Sequence, residues 1–343
     1  MKQTILITAL LISALSCSQK KTEQPKTKTQ PMTNIDQYIA HEAKNITAAN
    51  YVEKLNAQIK HYPEEPIYYF RINKQNCLVE VYINDIKNYT DFKLGNYITP
   101  TEVGHILKSG PQTITVKMYP VGNLLNESWG KTDAKPMAEL TENSEVSIEI
   151  VRIDEKSKKG LNDEISIIKK ISPKEVTGKE TFEFSFTFDA KVPYEYEGWT
   201  KGQDISKLDQ ELVRKKAVEF YEMIGKLYVN KELDNVLKLD YPADIRIKGT
   251  YYVNKLNLQE TLEEYTDDVK GYNYKMEPIQ NYKMEYMGNK KLLRLVTNSL
   301  DIDLRGGGAL WLSYDDDGFF APGITLYLPE GRDLATQGFM MWK

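Results

Sequence analysis

The residues best equipped for chemistry lie late in the 343-residue chain. Asp301 and Asp303 alternate with Ile302 and Leu304, a period of two that sets both carboxylates on one strand face. Arg305-Gly-Gly-Gly308 follows, then Asp315-Asp316-Asp317-Gly318. Carboxylates at this density can hold a hard cation or share acid–base work beside a glycine-rich loop. Asp301, Asp303, Asp315 and Asp317 are therefore the candidate metal ligands. The same residues suit a solvent face between two hairpin turns, because Asp-Gly is a turn dipeptide. Their spacing also departs from the alternation of an EF-hand loop. The second reading is the one the sequence favours.

Elsewhere the chemistry is sparse, and no catalytic residue is assigned. The chain has no Gly-x-Gly-x-x-Gly, Walker A, Gly-x-Ser-x-Gly or His-Glu-x-x-His motif, and nothing in it implies a cofactor. Ser166/Lys169 and Ser18/Lys21 match Ser-x-x-Lys, but one falls in a strand-like run and the other in a polar tail. His41, His61 and His105 are far apart, and His105 lacks an identifiable nucleophile. With only Cys17 and Cys77, a disulfide framework and a His/Cys zinc site are excluded. Cys77 sits beside a strand-like run and reads as a small buried hydrophobe. Tyr194, Tyr196 and Trp199 can stack on a sugar or pack between domains, and packing is the simpler use.

Composition narrows the class further. Lysine and arginine number 45 against 49 acidic residues, a net charge of -4, so nucleic acid is not an expected partner. Hydrophobic residues at 41% are enough to build a core, which rules out wholesale disorder.

The N-terminus carries an address. Lys2 precedes an apolar stretch from Ile5 to Leu15, about 17 Å as a helix and far short of the ~30 Å hydrocarbon core. It reads as the core of a signal peptide over 1–16. Ala14-Leu15-Ser16-Cys17 closes it and resembles the lipobox of bacterial lipoproteins, with Ala14 where leucine is usual, a looser form found in the Bacteroidota. The resemblance implies a diacylglyceryl group on the Cys17 thiol, cleavage just before it, and acylation of the new N-terminus. Residues 17–34 are polar, contain Pro25 and Pro31, and read as a tether of about 23 Å as a flexible coil.

The rest of the chain divides in two. Residues 35–192 begin with helical spacing over 35–61 and then change to a period of two. Ile114/Val116/Met118, Val146/Ile148/Ile150 and Phe182/Phe184/Phe186/Phe188 each share a face, with further strand-like runs at 67–72, 78–83 and 165–171. Turn signals such as Asn84-Asp85 separate them, so the domain reads as an antiparallel β-sandwich. Leu107 to Met118 resembles the turn-then-strand of Ig-like and PEGA-type bacterial modules. Residues 193–202 have no period and read as a linker. In 203–343 a helical stripe runs through Val213, Ala217, Phe220, Ile224 and Leu227. A short helix follows Asn230, and a third starts at a capping box, Asn257-Leu-Gln-Glu260. Strands follow at 282–286, 292–297, 302–304, 310–314, 324–328 and 339–342. This α+β order is similar to the NTF2-like cone, in which helices pack on a curved sheet around a pocket.

Together these features imply an envelope lipoprotein on the outer membrane, facing the periplasm, that acts as a binding or adaptor module. Its partners would be the membrane through the lipid and an envelope protein or glycan. The alternatives are a carboxylate-dependent glycan hydrolase and a periplasmic immunity-type lipoprotein.

Overall fold

Alternating Val, Ile and Phe side chains cannot hide both faces of a strand, so each strand needs a neighbour and a second layer. The structure, a computed structural model, describes residues 32–95, 98–130, 133–154, 163–315 and 318–343. The signal segment, Cys17, the tether up to residue 31, Asp316 and Asp317 lie outside the described residues.

After helix α1 (Tyr51–Asn56) come β1 (Ile67–Gln75), β2 (Leu78–Ile83), β3 (Ile86–Asp91), β4 (Ile98–Glu102) and β5 (Gly110–Tyr119). Helix α2 (Leu124–Trp129) precedes β6 (Glu145–Ile153), β7 (Ile165–Ile171) and β8 (Phe182–Ala190). The strands form two antiparallel sheets, in the orders β4-β1-β6-β7 and β3-β2-β5-β8. Register follows the apolar period: Ile72 faces Ile148 in one sheet, and Val81 faces Val116 in the other. The inner faces meet in one core that holds Phe70, Ile72, Val79, Val81, Ile114, Val116, Ile148 and Ile150. Each such side chain contributes about 1.5–3 kcal/mol on burial. Asn84 and Asp85, at φ 51° and 66°, make the tight β2–β3 turn that their types predict.

The second half opens with α3 (Gln210–Val229), capped by Asp209, whose carboxylate accepts from the amides of Glu211 and Leu212. Then come α4 (Leu233–Thr250) and α5 (Lys255–Lys270). The strands are β9 (Lys275–Met276), β10 (Tyr282–Met287), β11 (Leu292–Thr297), β12 (Leu312–Tyr314), β13 (Gly318–Phe320) and β14 (Leu326–Tyr327). Helix α6 (Leu334–Gln337) and β15 (Met340–Met341) complete the chain. They pair as β10-β11-β14-β15 and β13-β12-β9. The described chain is thus a β-rich α+β fold of antiparallel sheets with helices.

Three local expectations are corrected. Residues 302–304 are not a strand but part of a turn, in which Arg305 donates its amide to Asp301 O at 2.9 Å. The cap of α5 is Asn254, which accepts from the Asn257 amide, three residues before the expected box. The helix after Asn230 is long, and it runs through Pro242.

Packing also joins distant parts of the sequence. Residues 35–59, grouped with the sandwich by sequence, contain only 3-10 turns and the short α1. Ile35, Ile46, Tyr51 and Leu55 enter the core built by α3, α4 and α5. In the 193–202 segment, Tyr194 and Trp199 are buried in the sandwich core together with Tyr252, Met287 and Trp342 from the second half. The Trp199 and Trp342 rings meet edge-on at 5.7 Å.

Candidate functional site

Helix α4 carries an apolar stripe through Val236, Ala243 and Ile247 that is interrupted by two carboxyls, Asp240 and Asp244. Spaced i, i+4, they lie on one helical face with Cβ atoms about 5–6 Å apart. Pro242 between them has no N–H to give the carbonyl four residues back, yet the helix continues to Thr250. Both carboxyls line a cavity of about 250 Å³ closed by Ile224 and Tyr228 of α3, Tyr265 of α5, and Phe320, Ile324 and Met341 from the strand side.

Asp244 is nearly inaccessible, at 5% exposure. The Tyr51 hydroxyl, brought in by α1, donates to Asp244 Oδ2 at 2.7 Å, and the Tyr265 hydroxyl lies 3.2–3.3 Å from both of its oxygens. The Tyr51 ring is held edge-on by Tyr241 and Tyr265 at 6.4 and 6.1 Å. Burial raises the Asp244 pKa and outweighs the two hydroxyls, Lys248 and Arg246, which pull it down. Burial and then the Asp244 charge push Asp240 well above the carboxylate range. Burial also raises the Tyr51 and Tyr265 phenols, so both remain donors. Lys343, on the same wall, places its amine 3.3 Å from His105 Nε2. Arg246 lies 5.2 Å above the Trp342 ring and donates to the Trp342 carbonyl.

The site is therefore a pair of acids that prefer their protons, in an apolar pocket rimmed by aromatic rings. A protonated carboxyl donates a hydrogen bond; an ionised one accepts or pairs with a cation. Two carboxyls of unequal acidity on one wall also form the pattern of an acid and a base.

The residues singled out from sequence lie elsewhere. Asp301 and Asp303 do not share a strand face. The Asp301 side chain accepts the Asp303 amide at 2.9 Å within the turn, and Asp303 forms an exposed ion pair with Lys93 at 2.8 Å. Asp315 follows β12 in a turn, with φ 51°, and Asp317 lies outside the described residues. Among the described residues no group of three or more His, Cys, Asp or Glu side chains is arranged to hold a metal. The glycine run is structural: Gly306, at φ 77°, lies against the Phe92 ring, and Gly308 bridges Val296. His105 is buried in a 3-10 turn, where burial and Lys343 keep it neutral. Burial pushes the Cys77 thiol up to about 12, which leaves it unreactive.

Sequence reasoning missed Asp240 and Asp244. Their signal was two acids within the Val236–Ile247 stripe, visible only if the helix is continued through Pro242. Comparison with family models, curated proteins and solved structures finds no match.

Proposed function

We propose that the chain is a lipid-anchored envelope protein that binds a small organic amine in the Asp240–Asp244 cavity. The observation that carries this reading is a pair of carboxyls, Asp244 buried and Asp240 half-buried, facing an aromatic-walled cavity. An ammonium entering it meets two acceptors, and the rings of Tyr228, Tyr265 and Phe320 favour cations. A volume of about 250 Å³ is below the roughly 300–1,000 Å³ of pockets that take drug-sized ligands, so the ligand is small. Anchoring rests on Cys17 and its lipobox, and the outer membrane facing the periplasm is the proposed address. Among the described residues no helix is long and apolar enough to cross a membrane.

The finer fold reading belongs with this proposal. Two antiparallel sheets around one core support an Ig-like sandwich over 67–190, with β1 and β2 in different sheets. Helices α3–α5 and the later strands enclosing a cavity support an NTF2-like cone over 203–343.

An ammonium pairs with the ionised form of Asp244, so affinity should rise with pH. With Asp244 raised to about 6, cyclohexylamine should bind about tenfold tighter at pH 7 than at pH 5. Cyclohexanol, equal in shape and uncharged, should show no such dependence. Equal binding of both probes at both pH values refutes the amine reading. The unequal acidity of the two carboxyls supports one other reading, a glycan hydrolase, and turnover of 4-nitrophenyl glycosides that is lost in Asp240→Asn would establish it instead.

A further inference from the structure

A second cavity, of about 530 Å³, opens at one end of the sandwich and shares no lining residue with the Asp240–Asp244 site. Two turns build one side of it. Asn76, at φ 47°, turns β1 into β2, and residues 141–144 lead into β6. The Asn76 amide donates to Thr141 Oγ1 at 2.8 Å, and the Ser144 hydroxyl donates to Asn76 O at 2.8 Å, which ties the two turns together. Asn76 Oδ1 is left without a partner among the described residues. The side-chain amides of Gln75 and Asn143, both exposed, likewise make no hydrogen bond among the described residues, and all three residues line the cavity.

Helix α2 builds the other side. Leu124 is buried with Leu78 and Val121, which fixes the helix against the sandwich. Leu125 and Trp129, four residues apart, then share the neighbouring helical face, and both line the cavity with Leu94 and Val121. Gly130, at φ 63°, stops the helix just after Trp129. Tryptophan is highly buried on average, and Trp199 and Trp342 are, but Trp129 is 62% exposed.

Among the described residues the lining carries no charged side chain, in a chain where 27% of residues are charged. A charged ligand would lose water there without meeting a counter-charge, and a wholly apolar one would strip water from three amides. A sugar suits both sides. The C–H face of a pyranose is apolar and slightly positive, which the negative face of an indole ring attracts. Each side-chain amide offers donors and an acceptor to hydroxyls, which need both. The volume lies within the roughly 300–1,000 Å³ of small-ligand pockets. We infer that this cavity binds a neutral saccharide, with one pyranose stacked on Trp129 and its hydroxyls bonded to the amides of Gln75, Asn76 and Asn143.

Titration of the full chain with maltotriose, cellotriose and triacetylchitotriose, in a detergent without a sugar head group, tests the inference by calorimetry and tryptophan emission. At least one of the three should bind saturably and shift the emission to the blue as Trp129 is covered. Trp129→Ala should weaken that sugar about tenfold and abolish the shift, while Trp129→Phe keeps part of the affinity. Asn143→Ala should weaken it about threefold. Both alanine variants should keep the wild-type urea midpoint, since the two side chains are exposed. Asp240→Asn and raised salt should leave the affinity unchanged. No saturable binding of any of the three, wild-type affinity in Trp129→Ala, loss of binding in Asp240→Asn, or an affinity that falls with salt overturns it.

Discussion

Asp244→Asn offers the sharpest test of the carboxyl pair on α4. The folded protein holds the Asp244 proton up to about pH 6, whereas the unfolded chain releases it near pH 4. Between those values the folded state binds the extra proton, so stability falls as pH rises. The contribution is fully present below about pH 4 and fully lost above about pH 6. At 1.36 kcal/mol per pH unit, the change from 3.8 to about 6 corresponds to about 3 kcal/mol. Asparagine cannot ionise, and its Oδ1 still accepts from the Tyr51 and Tyr265 hydroxyls. Its amide must be housed where no partner is arranged, at a cost of about 1–3 kcal/mol. The variant should therefore be less stable than wild type at pH 4.5 and equal to or more stable than it at pH 8. Urea unfolding across that range, read as variant minus wild type, cancels the titration of Glu80, Glu164 and Glu232, whose pKa values are lowered. A difference independent of pH would refute the reasoning, as would a variant that loses ground as pH rises.

Further outcomes test the anchor and the other polar clusters. Cys17→Ala should abolish incorporation of a fatty-acid analogue, and label retained in the variant would remove the lipoprotein reading. Tyr51→Phe should cost about 1–2 kcal/mol in urea unfolding, because it removes a buried 2.7 Å bond and leaves Asp244 with fewer donors. Lys87→Met should cost about 3–5 kcal/mol by leaving Glu80 and Glu285 buried without their shared cation, and adding Glu80→Gln should recover part of it. Asp303→Asn should change stability by about 0.5 kcal/mol or less, since its partner Lys93 is exposed and solvent-screened.

How much of this was legible depended on the range of the interaction. The apolar, β-branched runs at 78–83, 165–171 and 292–297 coincide with the observed bounds of β2, β7 and β11, because strand preference is carried by the run itself. Asn84-Asp85 marked its turn for the same reason: both residues tolerate positive φ. Partners are a different matter. The Ile35–Ile59 spacing shows an apolar face but not what covers it, and the face turns out to join α3 and α4 rather than the adjacent strands. Ile302 and Leu304 alternate as a strand would, yet the Ser299 hydroxyl accepts the Asp301 amide at 3.1 Å and the Asp301 carboxylate accepts the Asp303 amide. Such local side-chain bonds compete with the ladder and win where no neighbouring strand is offered.

The candidate site escaped for a related reason. Proline inside a helical pattern reads as a stop, so the sequence shows only a short helix after Asn230 and gives no reason to set Asp240 and Asp244 on one helical face. In the folded protein α4 is clamped between α1, α3 and α5, and that packing carries the helix past Pro242. Asp244 on the covered face works against the fold above pH 6, and Asp240 beside it shifts in the same direction. The sequence offers apolar replacements freely at the neighbouring stripe positions Val236, Ala243 and Ile247. Acids in such a place, with two tyrosine hydroxyls aimed at one of them and a cavity before both, are what the proposed ligand reading rests on. The same contrast separates them from Asp301 and Asp303, whose carboxylates serve a turn and a surface ion pair and cost the fold little.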